Sequence, residues 1–149
     1  MSYLTVITLD QAKTYLRVDD TLTEDDNQIT RMINASLSMV ERYTQNYVYK
    51  REEEFTVLDG TGRIYAYPVN SVVDPVDTVV KNVGLYSWYS YGSGTFTLTL
   101  DVGWENVEDV PAELIEVGFE TIREMYYEGS NSLSDLSKQA LAKHMRFLI

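Results

Sequence analysis

Apolar residues recur at intervals of three and four in two stretches near the start of the chain. Leu9, Ala12, Tyr15 and Leu16 share one helical face, and this spacing predicts a short helix running to about Arg17. Thr8 precedes it and Gln11 follows three residues later, the pattern in which each side chain caps the other's backbone N–H. Ile29, Met32, Ile33, Leu37, Val40 and then Tyr43 or Tyr47 repeat the same period. They predict a long amphipathic helix from about Glu24 to Tyr47, with Thr23 ahead of Asp26 as its cap.

After Lys50 the period shortens and Val, Tyr, Thr and Phe gather between turn residues, which predicts strands. Residues 55–58 and 63–67 flank Asp59-Gly60-Thr61-Gly62 and read as a hairpin whose glycines supply positive φ. Pro68 and Pro75 bracket residues 69–74, placing that stretch at a sheet edge or in a connection. Residues 76–80, 85–89 and 96–102 are further strand candidates; in the last, Phe96, Leu98, Leu100 and Val102 alternate with polar residues. Helical period returns at Val110-Pro111 and runs through Leu114, Ile115, Gly118, Phe119, Ile122 and Met125 to a stop at Gly129. A last helix is expected from about Ser134 to Phe147, with Leu136, Ala140, Leu141, His144 and Met145 on it. The expected fold is α+β in a single domain, 1–149. Two N-terminal and two C-terminal helices (1–50 and 110–149) pack as a helical bundle, with an antiparallel β segment, 51–104, inserted between them.

Composition narrows the chemistry. The 149 residues carry 23 Asp and Glu against 12 Lys and Arg, a net charge of -11, with no cysteine and one histidine. Thiolate nucleophiles, disulfides and thiolate metal sites are excluded, and a two-histidine metal site cannot form within one chain. Sequence-independent grip on a DNA duplex needs Lys and Arg to displace phosphate counterions, so the acidity argues against it. No apolar run is long enough to predict a membrane span. The carboxylates Asp19, Asp20, Glu24, Asp25 and Asp26 lack the alternating spacing and the glycine of a calcium loop; they read instead as the acidic first turn of a helix. Gly60-Thr61-Gly62 and Gly92-Ser93-Gly94 are not followed by the Lys and Ser/Thr of a phosphate loop and read as turns. No motif calls for a cofactor, a metal or a catalytic residue.

Three groups of residues stand out as candidate surfaces. Glu113, Glu116, Glu120, Glu124 and Glu128 recur at three and four on the third helix, opposite its apolar face. The stripe reads either as a solvated face or as a wall along which DNA slides without sticking. Tyr86, Trp88, Tyr89 and Tyr91 crowd one strand; alternation puts Trp88 opposite Tyr89 and Tyr91, so some face the core and the others suit a partner. From Asp135 onward one acid meets Lys138, Lys143 and Arg146, a local +2, and the chain closes on Phe147-Leu148-Ile149.

In order along the chain, residues 4–19, then Glu24-Asp25-Asp26-Asn27-Gln28-Ile29 with Val40-Glu41-Arg42-Tyr43-Thr44, Tyr67-Pro68-Val69-Asn70-Ser71-Val72, Phe96 to Trp104, Val110 to Ile115 and Met125-Tyr126-Tyr127-Glu128 resemble the phage head-tail connector proteins of the gp6-like type. Two places depart from that pattern: Glu128-Gly129-Ser130-Asn131 replaces expected basic residues, and the C-terminal helix is longer than the expected short arm. The resemblance implies a non-enzymatic virion protein at the neck, made in the host cytoplasm, forming a ring of twelve neighbouring copies beneath the portal protein. The ring would extend the DNA channel, with DNA passing through unbound, and would offer a docking surface to the next connector or tail protein. It implies that the third helix, with Glu113, Glu116, Glu120 and Glu124, faces the lumen. Lys138, Lys143, Arg146, Phe147, Leu148 and Ile149 would then face the portal, and Tyr86, Trp88, Tyr89 and Tyr91 a neighbour or the tail. A tail-side completion or terminator ring, or an acidic small-ligand module, are the alternatives; a deep pocket with converging carboxylates would favour the second.

Overall fold

The computed structural model describes residues 1–146. Helices α1 (Tyr3–Val6), α2 (Leu9–Leu16) and α3 (Asp26–Thr44) come first. Strands β1 (Arg51–Val57), β2 (Thr61–Ile64), β3 (Val69–Asp74), β4 (Val79–Val83), β5 (Tyr86–Ser90) and β6 (Phe96–Val102) follow, then α4 (Ala112–Glu128) and α5 (Asp135–Leu141). The protein is α+β, with two antiparallel sheets.

The capping box at α2 forms as its residues dictate. Gln11 N–H donates to Thr8 Oγ1 at 3.2 Å, and Thr8 N–H to Gln11 Oε1 at 2.9 Å. The start of α3 differs from the expected one at Glu24, and a buried cation is the reason. Lys13 is 2% exposed; its ammonium donates to the carbonyls of Asp20 (3.1 Å) and Leu22 (2.6 Å) and pairs with Asp26 at 2.9 Å. An ammonium without partners could not stay buried, so the connector wraps it and the helix begins only at Asp26. Thr23 therefore caps nothing. At the other end Gln45 turns left-handed, φ 58°, and α3 stops at Thr44 rather than Tyr47.

The helices share one core, in which Ile7, Ile29, Ile33, Leu37, Val40, Leu114, Ile122 and Leu141 are fully buried. Burying each such side chain contributes about 1.5–3 kcal/mol. Gly118 lies on the apolar face of α4 because α3 and α1 approach it: a Cβ there would sit 2.9 Å from Leu37 Cδ2 and 3.0 Å from Ile7 Cδ1. The last helix is shorter than the expected 134–147, ending at Leu141 before a 3₁₀ turn, Ala142–His144. Its buried face is also different. Ser137 and Leu141 point inward with Leu133 ahead of them, while Leu136 is 78% exposed.

The expected hairpin of residues 55–58 and 63–67 does not form. The turn is present, with Thr61 N–H donating to the Leu58 carbonyl at 3.3 Å, but its two arms enter different sheets. β1 pairs along its whole length with β6, from Arg51 opposite Val102 to Val57 opposite Phe96, and β3 pairs with β6 from the other side. β2 pairs with β5, which pairs with β4. The apolar alternation of β6 explains the choice. Its inward residues meet Phe55 and Val57 in a seven-pair ladder, whereas β2 has four residues and one large apolar side chain, Ile64. Gly62 lies against Val57 Cγ1, so the chain folds layer over layer instead of edge to edge. Tyr89 joins Val57, Leu98, Leu100 and Val102 in this second core. Residues 69–74 form an edge strand as expected. β4 starts at Val79 instead of 76 because the Thr78 N–H bonds back to the Pro75 carbonyl at 3.1 Å.

Two contacts fix the β layers to the helices. Gly103, φ 94°, lies so close to the chain entering β1 that a Cβ would stand 1.9 Å from the Tyr49 carbonyl oxygen. Beside it, the buried Glu41 of α3 accepts two hydrogen bonds from Arg51 Nη2 of β1, at 2.9 and 2.7 Å, and one from Val48 N–H at 3.3 Å. The guanidinium also lies over the rings of Tyr49 and Tyr47, 4.2 and 4.8 Å from their centroids.

Candidate functional site

The acidic stripe on α4 is present but unevenly compensated. Arg123 donates to Glu120 at 2.6 Å and reaches Glu128 at 3.4 Å. Glu120 also accepts from the Tyr15 hydroxyl at 3.0 Å. The Arg123 guanidinium, followed by that hydroxyl, holds Glu120 below the ordinary carboxylate range against a smaller upward push from burial. Glu113 pairs with Lys143, whose ammonium lowers its carboxyl to about 2. Glu124 shifts upward, from partial burial and then from the repulsion of Glu120 and Glu128. Glu116 is exposed and has no ion-pair partner among the described residues. The acidic face is thus concentrated at Glu116 and Glu124.

The C-terminal cations fall into three situations. Lys138 is exposed on α5. Lys143 is tied to Glu113, so the candidate lumen and portal surfaces adjoin through this pair. Arg146 folds back: its N–H donates to the Thr44 carbonyl at 3.0 Å and its guanidinium lies 3.8 Å from the Tyr67 ring centroid. Asn46 fastens the same segment, its side-chain amide donating to the His144 carbonyl at 2.5 Å. Phe147, Leu148 and Ile149 lie outside the described residues.

The aromatic strand β5 divides as alternation requires. Tyr89 is buried in the core between the sheets, and Tyr91, 43% exposed, stacks edge-on against Phe96. Tyr86 and Trp88 face outward, half-buried, with the Arg63 guanidinium 5.5 and 5.6 Å from their ring centroids. Arg63 carries no pattern in a single sequence that marks it. Only the pairing of β2 with β5 brings it opposite Trp88.

Between the sheets a cleft of about 440 Å³ is lined by residues of β3, β4 and β5, together with Tyr67 and Arg146. No carboxylate lines it, so nothing there resembles a paired-carboxylate site. The acidic connector is likewise used within the fold. Asp19 accepts from Thr21, Asp25 from the Tyr126 hydroxyl at 2.7 Å, and Asp26 pairs with Lys13. Among the described residues no three of His, Cys, Asp and Glu converge as metal ligands, and no helix is long and apolar enough to cross a membrane.

Comparison with known proteins places these surfaces in context. No curated protein matches the sequence. A chain from the neck of an empty gene transfer agent (GTA) particle, computed with C6 symmetry, is similar in fold, with a TM-score of 0.74 at 13% identity, over 97% of this chain and 92% of that one. A chain from the virion of a native GTA particle gives 0.73 at 14% identity, over 100% and 93%. One from the neck of the native particle, computed with C12 symmetry, gives 0.70 at 12% identity, over 97% and 91%. Residues 6–83, just over half the chain, match the model of the phage gp6-like head-tail connector proteins, and the chain belongs to that family.

Proposed function

We propose that this protein is a structural component of the virion neck that assembles as a ring below the portal, extends the DNA channel and docks the next connector or the tail. The carrying observation is family membership together with likeness in fold, over 97% of the chain, to chains of particle necks. The C6 and C12 symmetries of those necks support a ring, with twelve copies as the expected number. Helices α1 to α5 act as the bundle on which the two sheets are mounted, all within one domain.

In this reading α4 faces the lumen. Glu113, Glu116, Glu120 and Glu124 line a conduit from which phosphates are repelled, so DNA slides without being held. Glu116 and Glu124 do most of the repelling, since Glu113 and Glu120 are matched by Lys143 and Arg123. The exposed Lys138 and Leu136, together with Lys143, Arg146 and residues 147–149, meet the portal. Tyr86, Trp88 and Tyr91 face a neighbouring copy or the tail, with Tyr89 supporting their strand from the core. An adaptor of this kind needs no catalysis.

Replacing Glu116 and Glu124 by Lys tests the lumen. Tailed particles should still assemble, while DNA release and infectivity fall at least about tenfold as phosphate contacts form. Unchanged DNA release from particles that contain the variant contradicts the reading.

A further inference from the structure

The two sheets carry opposite charge on opposite outer faces. β2, β4 and β5 hold Arg63 and Lys81 and not one Asp or Glu, in a chain of net charge -11. The register sets Arg63 and Lys81 on either side of Trp88, and Tyr86 lies on the same outward face, with Arg63 over its ring. Val79, 66% exposed, lies beside them. On the other sheet the inward row of β1, β6 and β3 is apolar from Phe55 to Val57 and from Phe96 to Val102. The outward row places Glu52 directly opposite Asp101, and Glu54 opposite Thr99, which pairs in turn with Asp74. Like charges facing each other across a ladder are destabilising. Lys50, 3.7 Å from Asp101, is the cation paired there.

We infer that the cationic, aromatic outer face of the β2-β5-β4 sheet docks on the acidic outer face of the β1-β6-β3 sheet of the next copy, head to tail. The occupant is a second copy because this molecule itself presents the complementary surface. A two-fold contact would press each face against its like and repel. Because the two faces look away from each other across the shared core, every copy keeps one of each free after the first contact, which is the condition for a ring. Tyr86 and Trp88 supply the large apolar area that anchors such contacts, and Arg63 and Lys81 set their register. This inference rests on the ring reading and specifies which surfaces close the ring.

Two charge reversals test it: Arg63→Glu with Lys81→Glu, and Glu52→Lys with Glu54→Lys. The readout is the number of copies incorporated per purified particle, with circular dichroism of each purified variant as the check of folding. Each reversal alone should lower incorporation about tenfold or more. Supplying the two variants together, or all four substitutions in one chain, should restore it, because opposite faces then meet again. Loss without restoration overturns the interface. Incorporation of either reversed variant at the wild-type level also overturns it, while leaving the ring reading intact; absence of the wild-type chain from particles removes both. If a reversal unfolds the protein, the neutral pairs R63Q/K81Q and E52Q/E54Q serve in its place. Each should then lower incorporation by a smaller factor, and no change overturns the interface.

Discussion

At the scale of single residues, ion pairs decide which charges are available to partners. Lys143 lowers the Glu113 carboxyl to about 2, so this pair stabilises the fold above the ordinary glutamate range and loses that contribution only as pH falls toward 2. In Lys143→Met the Glu113 titration, followed by carboxyl-carbon NMR, should move up into the ordinary range; an unmoved titration contradicts the pairing. Glu41 behaves differently. Burial pushes its pKa up, more than the Tyr3 hydroxyl and the Arg51 guanidinium draw it down. Removing one partner strands the other, so Glu41→Ala should cost about 3 kcal/mol in chemical denaturation. Glu41→Met with Arg51→Met should recover most of that loss. If the double substitution is as destabilising as the single, the pair does more than satisfy its own burial.

At the scale of elements, the close approach of Gly103 to Tyr49 is the tightest constraint on how the sheets meet the helices. Gly103→Ala adds a Cβ against a carbonyl at a positive φ, and should destabilise by at least about 3 kcal/mol in denaturant unfolding. Wild-type stability would mean that β6 leaves its sheet by another path. Helices α3 and α4 were legible in the sequence because Ile29, Ile33, Leu37 and Val40, and Leu114, Gly118 and Ile122, keep their period along whole elements; α1, four residues long, is too short to show one and was not expected. Strand existence was legible too, in the alternation of β6. Strand pairing was not. The turn at Asp59-Gly60 suits a hairpin locally, and the long-range match of Phe55 and Val57 to β6 overrides it. The start of α3 was hidden for a similar reason, since nothing near Glu24 reveals that Lys13 needs the connector's carbonyls.

At the scale of the whole molecule, a net charge of -11 resolves into separate regions. The stripe on α4 was readable from spacing alone; the pairing of Glu113 with Lys143 was not, because Lys143 comes from the 3₁₀ turn after α5. The opposed charges of the two sheets were also out of reach, since they depend on which strand pairs with which. The acidic stripe, the cationic C-terminal segment and the two oppositely charged β faces are the surfaces on which the proposed ring and its DNA conduit rest. The most direct test is electron microscopy of particles made with and without this protein. DNA-filled heads lacking tails, restored to tailed particles when the protein is supplied, are the expected result. Complete, tailed particles in its absence would contradict the assignment to the neck.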